Sequence, residues 1–277
     1  MKIYDCFTFF NELDLLEIRL QELWNSVDYF VIAESNYSFT GNNKNYTLLD
    51  NWDRFTPYAD KIKHVKVSDM PNNGNPWANE YWQRNALARG VVDKCDDDLI
   101  IISDCDEIPR GDAIDLIAKD DQYDRYILGH PMFQYKLNYM KVHADLIQHN
   151  IIISRGHTFT APQQERAYTF HWQQAPPANT VKIEHAGWHF SYFGDDSNAI
   201  TKIKNFSHTE TPQQVVDNHN IDYMIQNKCG HHGLSNPERF EHVQLDDYFP
   251  VCITDNIERW SHMIIPDATV AVTDLYL

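Results

Sequence analysis

Positive charge is scarce in this chain: 23 Lys and Arg stand against 40 Asp and Glu, a formal net charge of -17 at pH 7 over 277 residues. A surface of that sign repels phosphate backbones and anionic headgroups, so neither nucleic acid nor a membrane surface is an expected partner. Long apolar runs are missing as well. No stretch reaches the ~18 residues of a spanning helix, and no stable membrane insertion is expected. Cysteine is sparse, with five residues (Cys6, Cys95, Cys105, Cys229, Cys252) and no CxxC pair. That excludes an even disulfide framework and reads as reduced thiols. There is no HExxH, no low-complexity tract and no fixed-period repeat. The opening residues MKIYDCFTFF pass directly into a strand pattern. We therefore expect a soluble, cytoplasmic protein.

What is present is material for a large core, with 43% hydrophobic and 13% aromatic residues. The first 136 residues alternate strand and helix. Strands are predicted at 3–10, 28–35, 62–68, 99–103 and 125–135. A helix is predicted from a cap at Asn11 to Trp24, with Leu13, Leu16, Leu20 and Leu23 on one face and Glu12, Asp14, Glu17, Arg19 and Glu22 off it. Further helices are predicted at 77–94, where Glu80 and Arg84 stand at i,i+4, and at 111–119. Strands apolar on both faces, separated by helices, predict an α/β fold with a mainly parallel sheet flanked by helices. Ligands of such sheets sit beyond the carboxyl ends of the strands. The second half predicts strands at 146–154 and 181–193, a loop at 173–180, helices near 195–206 and 211–227, and an irregular tail from Cys229.

The stretch LIIISDCDEIPR (99–110) runs an apolar strand into Asp104, Asp106 and Glu107. With 28 Asp in the chain, chance supplies about three D-x-D triplets, so the pattern alone says little. There are two, and context separates them. Asp96 and Asp98 precede the strand, in an expected solvated turn. Asp104 and Asp106 follow it, where the ligand crevice should lie. Paired carboxylates there suit a hard divalent ion, Mn²⁺ or Mg²⁺, and the departure of a diphosphate. The alternative is an acidic turn that caps the helix starting near Gly111, which suits Glu107.

HAGWHFSYFGD (185–195) is dense in aromatics and histidine. His185 and His189 share a strand face, but a zinc pair lacks a third ligand at motif spacing. KIKNFSHTE (202–210) reads as a helix end bearing His208 and Glu210. Trp77, Trp82, Trp172 and Trp188 are candidate sugar platforms, with core packing as the alternative.

Taken together, these stretches resemble glycosyltransferase family 17. YDCFTFFNELDLLEIRL resembles the family's opening strand and helix, VDYFVIAESNYSFTGNNK its second strand and glycine–lysine loop, and DDLIIISDCDEIPR its acidic signature. AGWHFSYFGD and KIKNFSHTE resemble two later blocks. The resemblance implies one catalytic domain, 1–277, of the GT-A type, with a Rossmann-like nucleotide-sugar half (1–136) and an acceptor-side half (137–277). It implies transfer of N-acetylglucosamine from a UDP-sugar to a glycan or glycolipid acceptor, with inversion to a β linkage. Asp104 and Asp106 then match the D-x-D pair, with His189 as a third metal ligand. Glu34, Lys44, Arg84, Asp104 and Arg166 fall to the donor, Trp188 and His208 to the acceptor. The base is Glu210, with Asp195 and Asp196 as alternatives. The family's animal members carry a membrane anchor before this strand, which shifts the expected acceptor away from secretory N-glycans. A metal-dependent phosphohydrolase and a non-catalytic glycan-binding protein are the rival readings.

Overall fold

The structure is a computed structural model and describes residues 1–142, 147–170, 175–207, 220–230 and 239–275. Its first half alternates strands with helices or helical turns. Strand β1 (Ile3–Phe9) leads to α1 (Leu13–Leu23) and β2 (Tyr29–Ser35). Two short helical turns, α2 (Thr47–Asp50) and α3 (Trp52–Phe55), precede β3 (Ile62–Val67). Then come α4 (Pro76–Ala86), β4 (Leu99–Asp104), β5 (Glu107–Pro109) and α5 (Gly111–Ile117). The second half supplies β6 (Arg125–Gln134), β7 (Tyr139–Lys141), β8 (Ile147–Arg155), α6 (Pro162–Ala167), β9 (Thr180–Ile183) and β10 (Gly187–Ser191). It closes with α7 (Asp196–Asn205), α8 (Ile221–Gln226), β11 (Phe240–His242) and helical turns over 251–263.

Among the described residues, eleven strands form one sheet, with β11-β7-β6-β8-β4-β1-β2-β3 as its main path. The run β4-β1-β2-β3 is wholly parallel, as the apolar strand patterns predict. From β8 onward the sheet is mixed: β8 runs antiparallel to β4 and β6, while β9 and β10 run parallel to β6. The chain moves outward from β1 to β2 and β3, then returns to the other side of β1 as β4. That reversal is a topological switch point and opens a crevice at the carboxyl ends of β1 and β4.

Alternation along the strands fills both faces. Phe7, Phe9, Phe30, Ile32 and Ile101 pack with Leu16, Leu20 and Leu23 of α1 and with Ile114 and Ile117 of α5. Tyr4, Cys6, Val31, Ala33, Ile100 and Ile102 pack on the opposite face with Ala86, Leu87 and Tyr168. Burying so many large apolar side chains, at about 1.5–3 kcal/mol each, is what holds the strand ends still enough to present a site.

Several local expectations differ in detail. Asn11 does not cap α1; the capping position is Glu12, whose Oε2 accepts hydrogen bonds from the Phe10 and Asn11 amides at 3.1 and 3.0 Å. The outer face predicted for α1 is buried in part. Leu15 and Ile18 pack with Ile253 and Trp260 from the tail, and Arg259 pairs with Glu17, so α1 is covered from two sides. Helix α4 stops at Ala86, well before 94, and is capped by Asn75, whose side-chain Oδ1 accepts from the Trp77 and Ala78 amides. The single strand predicted over 181–193 is two, because His185 turns the chain through a left-handed conformation at φ 58°. Asp98 is not solvated: it is 2% exposed and accepts from the Lys2 and Cys95 amides at 2.6 and 2.8 Å.

Candidate active site

A cleft of about 490 Å³ lies at the switch point, within the range of small-molecule sites. Its floor is the turn 104–107 that leaves β4. One wall is Thr8–Phe10 from β1 with Tyr37–Phe39 and Lys44, and the other is His189 and Ser191 from β10 with Lys202 of α7. Glu80, Gln83 and Arg84 of α4 and Arg166 of α6 close it from the side.

The acidic turn is held from below by a buried arginine. Arg19, with no exposed surface, donates from Nη1 to the carbonyls of Asp104, Cys105 and Glu107 at 2.8, 3.3 and 2.9 Å. Its other nitrogens bind Ser103 Oγ at 2.7 Å and both oxygens of Asp5 at 2.7 and 2.5 Å. A charged pair this deep is tolerated because almost every donor and acceptor is satisfied. The turn is thus anchored through its backbone, leaving its side chains to face the cleft.

Those side chains split into two roles. Glu107 lines the cleft but is 2% exposed and fully engaged: Arg166 grips both its oxygens at 2.7 and 2.8 Å, and its Oε2 also accepts the Asp104 amide at 2.8 Å. It caps no helix dipole, and it is not a third converging ligand. Asp104 lines the cleft too. Its Oδ1 accepts from Arg84 at 2.9 Å and Thr8 at 3.3 Å, and its Oδ2 from Arg166 at 3.1 Å. Burial pushes its pKa up, but Arg84 and Arg166 outweigh burial and hold the carboxyl well below the usual range. Asp106 accepts from Lys202 Nζ at 2.5 Å, with His189 Nε2 at 3.7 Å. There too burial opposes ionisation, while Lys202 and His189 override it and hold the carboxyl far down. The same pairing raises the Lys202 pKa against burial, with Glu12 as a second anion 3.8 Å away. His189 is itself oriented by Gln148, whose Oε1 lies 2.6 Å from Nδ1.

Of the residues predicted for the donor, Lys44, Arg84, Asp104 and Arg166 all line the cleft. Glu34 does not: it is fully buried, and its carboxylate accepts from Lys44 Nζ at 2.9 Å and from the amides of Thr47 and Leu48. It holds the loop that carries Lys44 rather than facing a ligand. Trp188 and His189 are adjacent on β10, so a strand must send them to opposite faces. His189 faces the cleft; Trp188, 1% exposed, packs with Phe133 and Phe190 under the Arg110 guanidinium and is no open platform. Asp195 caps α7, its Oδ1 accepting the Asn198 amide at 2.9 Å, and sits outside the main cleft. Asp196 accepts the Ile221 amide at 2.8 Å. Glu210, His208 and Trp172 lie outside the described residues. Sequence reasoning missed Arg19, Lys202 and Glu12. A signal existed for the first: Asp5 inside a core strand demands a buried cation.

The resemblance implies a divalent ion at Asp104, Asp106 and His189. Asp104 fits that role poorly, because two arginines occupy its oxygens. Asp106 and His189 fit it in donor chemistry, a carboxylate and an imidazole on one side of the cleft. Among the described residues no three His, Cys, Asp or Glu side chains gather into a metal-holding group.

A parallel α/β core with an acidic turn in a cleft of mixed charge at its switch point is the architecture of an α/β ligand-binding protein. Residues 1–246 match the family model of Glycosyltransferase family 17, and the chain belongs to that family. It is 33% identical over 113 residues to the human and to the rat (Rattus norvegicus) beta-1,4-mannosyl-glycoprotein 4-beta-N-acetylglucosaminyltransferase. Those matches cover 38% of this chain and 21% of each relative, so the chain spans about a fifth of their length. Among solved structures, HddC from Yersinia pseudotuberculosis superposes with a TM-score of 0.39 at 10% identity, over 66% of this chain and 90% of that one. Among the described residues no helix is long and apolar enough to cross a membrane.

Proposed function

We propose that this chain transfers N-acetylglucosamine from a UDP-sugar to a hydroxyl of a glycan or glycolipid, with inversion to a β linkage, on a GT-A type fold. The observation that carries the reading is the acidic turn at the end of β4, fixed through its backbone and surrounded by Lys44, Arg84, Arg166 and Lys202. Glu12, Glu80, Asp104, Asp106 and Glu107 line the same cleft, so in a chain of net charge -17 these four cations, together with a divalent ion on the acids, are what would receive an anionic diphosphate. Family membership supports the reaction class, and the partial match to N-acetylglucosaminyltransferases supports the sugar.

The side chains divide the work. Arg84, held by Glu80 at 2.8 Å and Gln163 at 2.7 Å, is aimed before any ligand arrives. Arg84 and Lys202 offer positive charge where the leaving diphosphate gathers negative charge, which is the form of stabilisation that favours the transition state. Asp106 and His189 would hold a Mn²⁺ or Mg²⁺ ion, which when bound adds further positive charge beside the diphosphate. Phe10, Tyr37 and Phe39 give the wall by β1 flat apolar surfaces.

The test is calorimetry with a panel of nucleotide sugars, in Mn²⁺ and in EDTA, followed by transfer to glycan acceptors read by mass spectrometry. UDP-N-acetylglucosamine should bind best, and transfer should yield a β-linked product. Release of phosphate from simple esters with no need of an acceptor, or glycan binding without nucleotide binding, would overturn the reading.

A further inference from the structure

A second groove, about 510 Å³, lies beside the cleft. Its walls are the first turn of α1, Arg54, Lys136, the segment from Phe193 to Asn198 and the residues His262 and Met263. Glu12 and Lys202 line both depressions, so they form the partition between them. The Glu12 carboxylate is fixed from one side only. Its Oε2 takes two backbone amides, while Oε1 has Lys202 Nζ at 3.8 Å, beyond hydrogen-bond reach. The side chain keeps 15% exposure at the partition. A rigid carboxylate with one free oxygen, set where two ligand-sized spaces meet, is what proton removal between two substrates requires.

We infer that the second groove receives the acceptor sugar and that Glu12 is the proton acceptor for its attacking hydroxyl. This rests on the glycosyl-transfer reading above. The step balances as follows. The acceptor O–H bond breaks and its proton passes to Glu12 Oε1. The oxygen's electron pair forms the bond to the anomeric carbon. The bond from that carbon to the diphosphate oxygen breaks, and its pair leaves with UDP. Glu12 then returns the proton to water. Lys202, bonded to Asp106 on the cleft side, holds a cation between the departing diphosphate and the carboxylate that gains the proton. Of the two other acids on the groove wall, Asp195 is engaged as the cap of α7, and Asp14 is paired with Arg54 at 2.5 Å. Glu12 alone of the three stands on the partition.

The experiment uses the full chain, UDP-N-acetylglucosamine and an acceptor that the wild type glycosylates. Glu12→Gln keeps an oxygen for the Phe10 and Asn11 amides, so the turn is retained. It should lower kcat about 100-fold or more, with the donor Kd unchanged by calorimetry. Asn198→Trp, on the exposed wall of the groove, should raise the acceptor KM about tenfold while donor Kd and the slow hydrolysis of the donor stay as in the wild type. Transfer by Glu12→Gln within threefold of the wild type would overturn the base assignment. An unchanged acceptor KM in Asn198→Trp would overturn the groove assignment. A wild type that binds no nucleotide sugar and transfers nothing would instead sink the parent reading, and donor binding tells the cases apart.

Discussion

The Glu107–Arg166 clamp yields a quantitative expectation. Both partners are at least 95% buried, at 2% and 5% exposure, and the guanidinium meets both carboxylate oxygens. Arg166→Met strands Glu107 with one amide donor and costs about 3–5 kcal/mol, the usual toll of an uncompensated buried charge. Glu107→Met strands Arg166 in turn, though Asp104 at 3.1 Å and the Asn150 carbonyl still hold it, so about 2–3 kcal/mol is expected. The double variant leaves two flexible apolar chains in the same space. It should be less destabilised than the sum of the singles, with a coupling of about 2–3 kcal/mol. Urea unfolding of the four proteins gives the cycle, and the Arg166→Met melting temperature should fall by roughly 6–20 °C. Additivity within about 0.5 kcal/mol would refute the idea that Glu107 is a structural anchor.

Three further outcomes follow. Lys202→Met should weaken UDP binding about tenfold or more in calorimetry, since a charge-assisted contact of about 1.5–3 kcal/mol is removed beside Asp106; an unchanged affinity would show that Lys202 does not face the diphosphate. His130 is fully buried, with neither ring nitrogen bonded among the described residues, and burial followed by the charges of His189 and Arg166 pushes its pKa well below the ordinary value. The folded protein therefore keeps it neutral while the unfolded chain gains a proton below about pH 6.5, so in EDTA stability should fall by about 1.4 kcal/mol per pH unit below that point, and His130→Phe should flatten that slope. Of the five thiols, only Cys95 is exposed, so a thiol reagent should label it first, and Cys105, whose pKa burial raises well above normal, should react only on unfolding.

The parallel half of the sheet was legible because β1, β2 and β4 are largely apolar on both faces, the pattern of a helix-covered strand, with the more polar β3 at its edge. The acidic turn was legible for the same reason: three acids at the end of an apolar run stand out locally. What stayed hidden depends on distant partners. Arg19 reaches a carbonyl 85 positions away, and Lys202 reaches an acid 96 positions away. Each looks like a routine helix cation until the fold closes. Glu34 misled because a charged residue near a strand end fits a ligand contact and a buried loop anchor equally well. Trp188 misled for a simpler reason, since period-two alternation forbids it from sharing the face of His189.

Arg19 also makes the first helix and the acid-bearing turn a single mechanical unit. Its guanidinium bridges Asp5, Ser103 and three carbonyls of the turn, so the alignment of the site is settled when the chain folds and not when a substrate docks. Damage to Asp5, buried deep in the sheet, would accordingly surface as poor binding of the proposed sugar nucleotide.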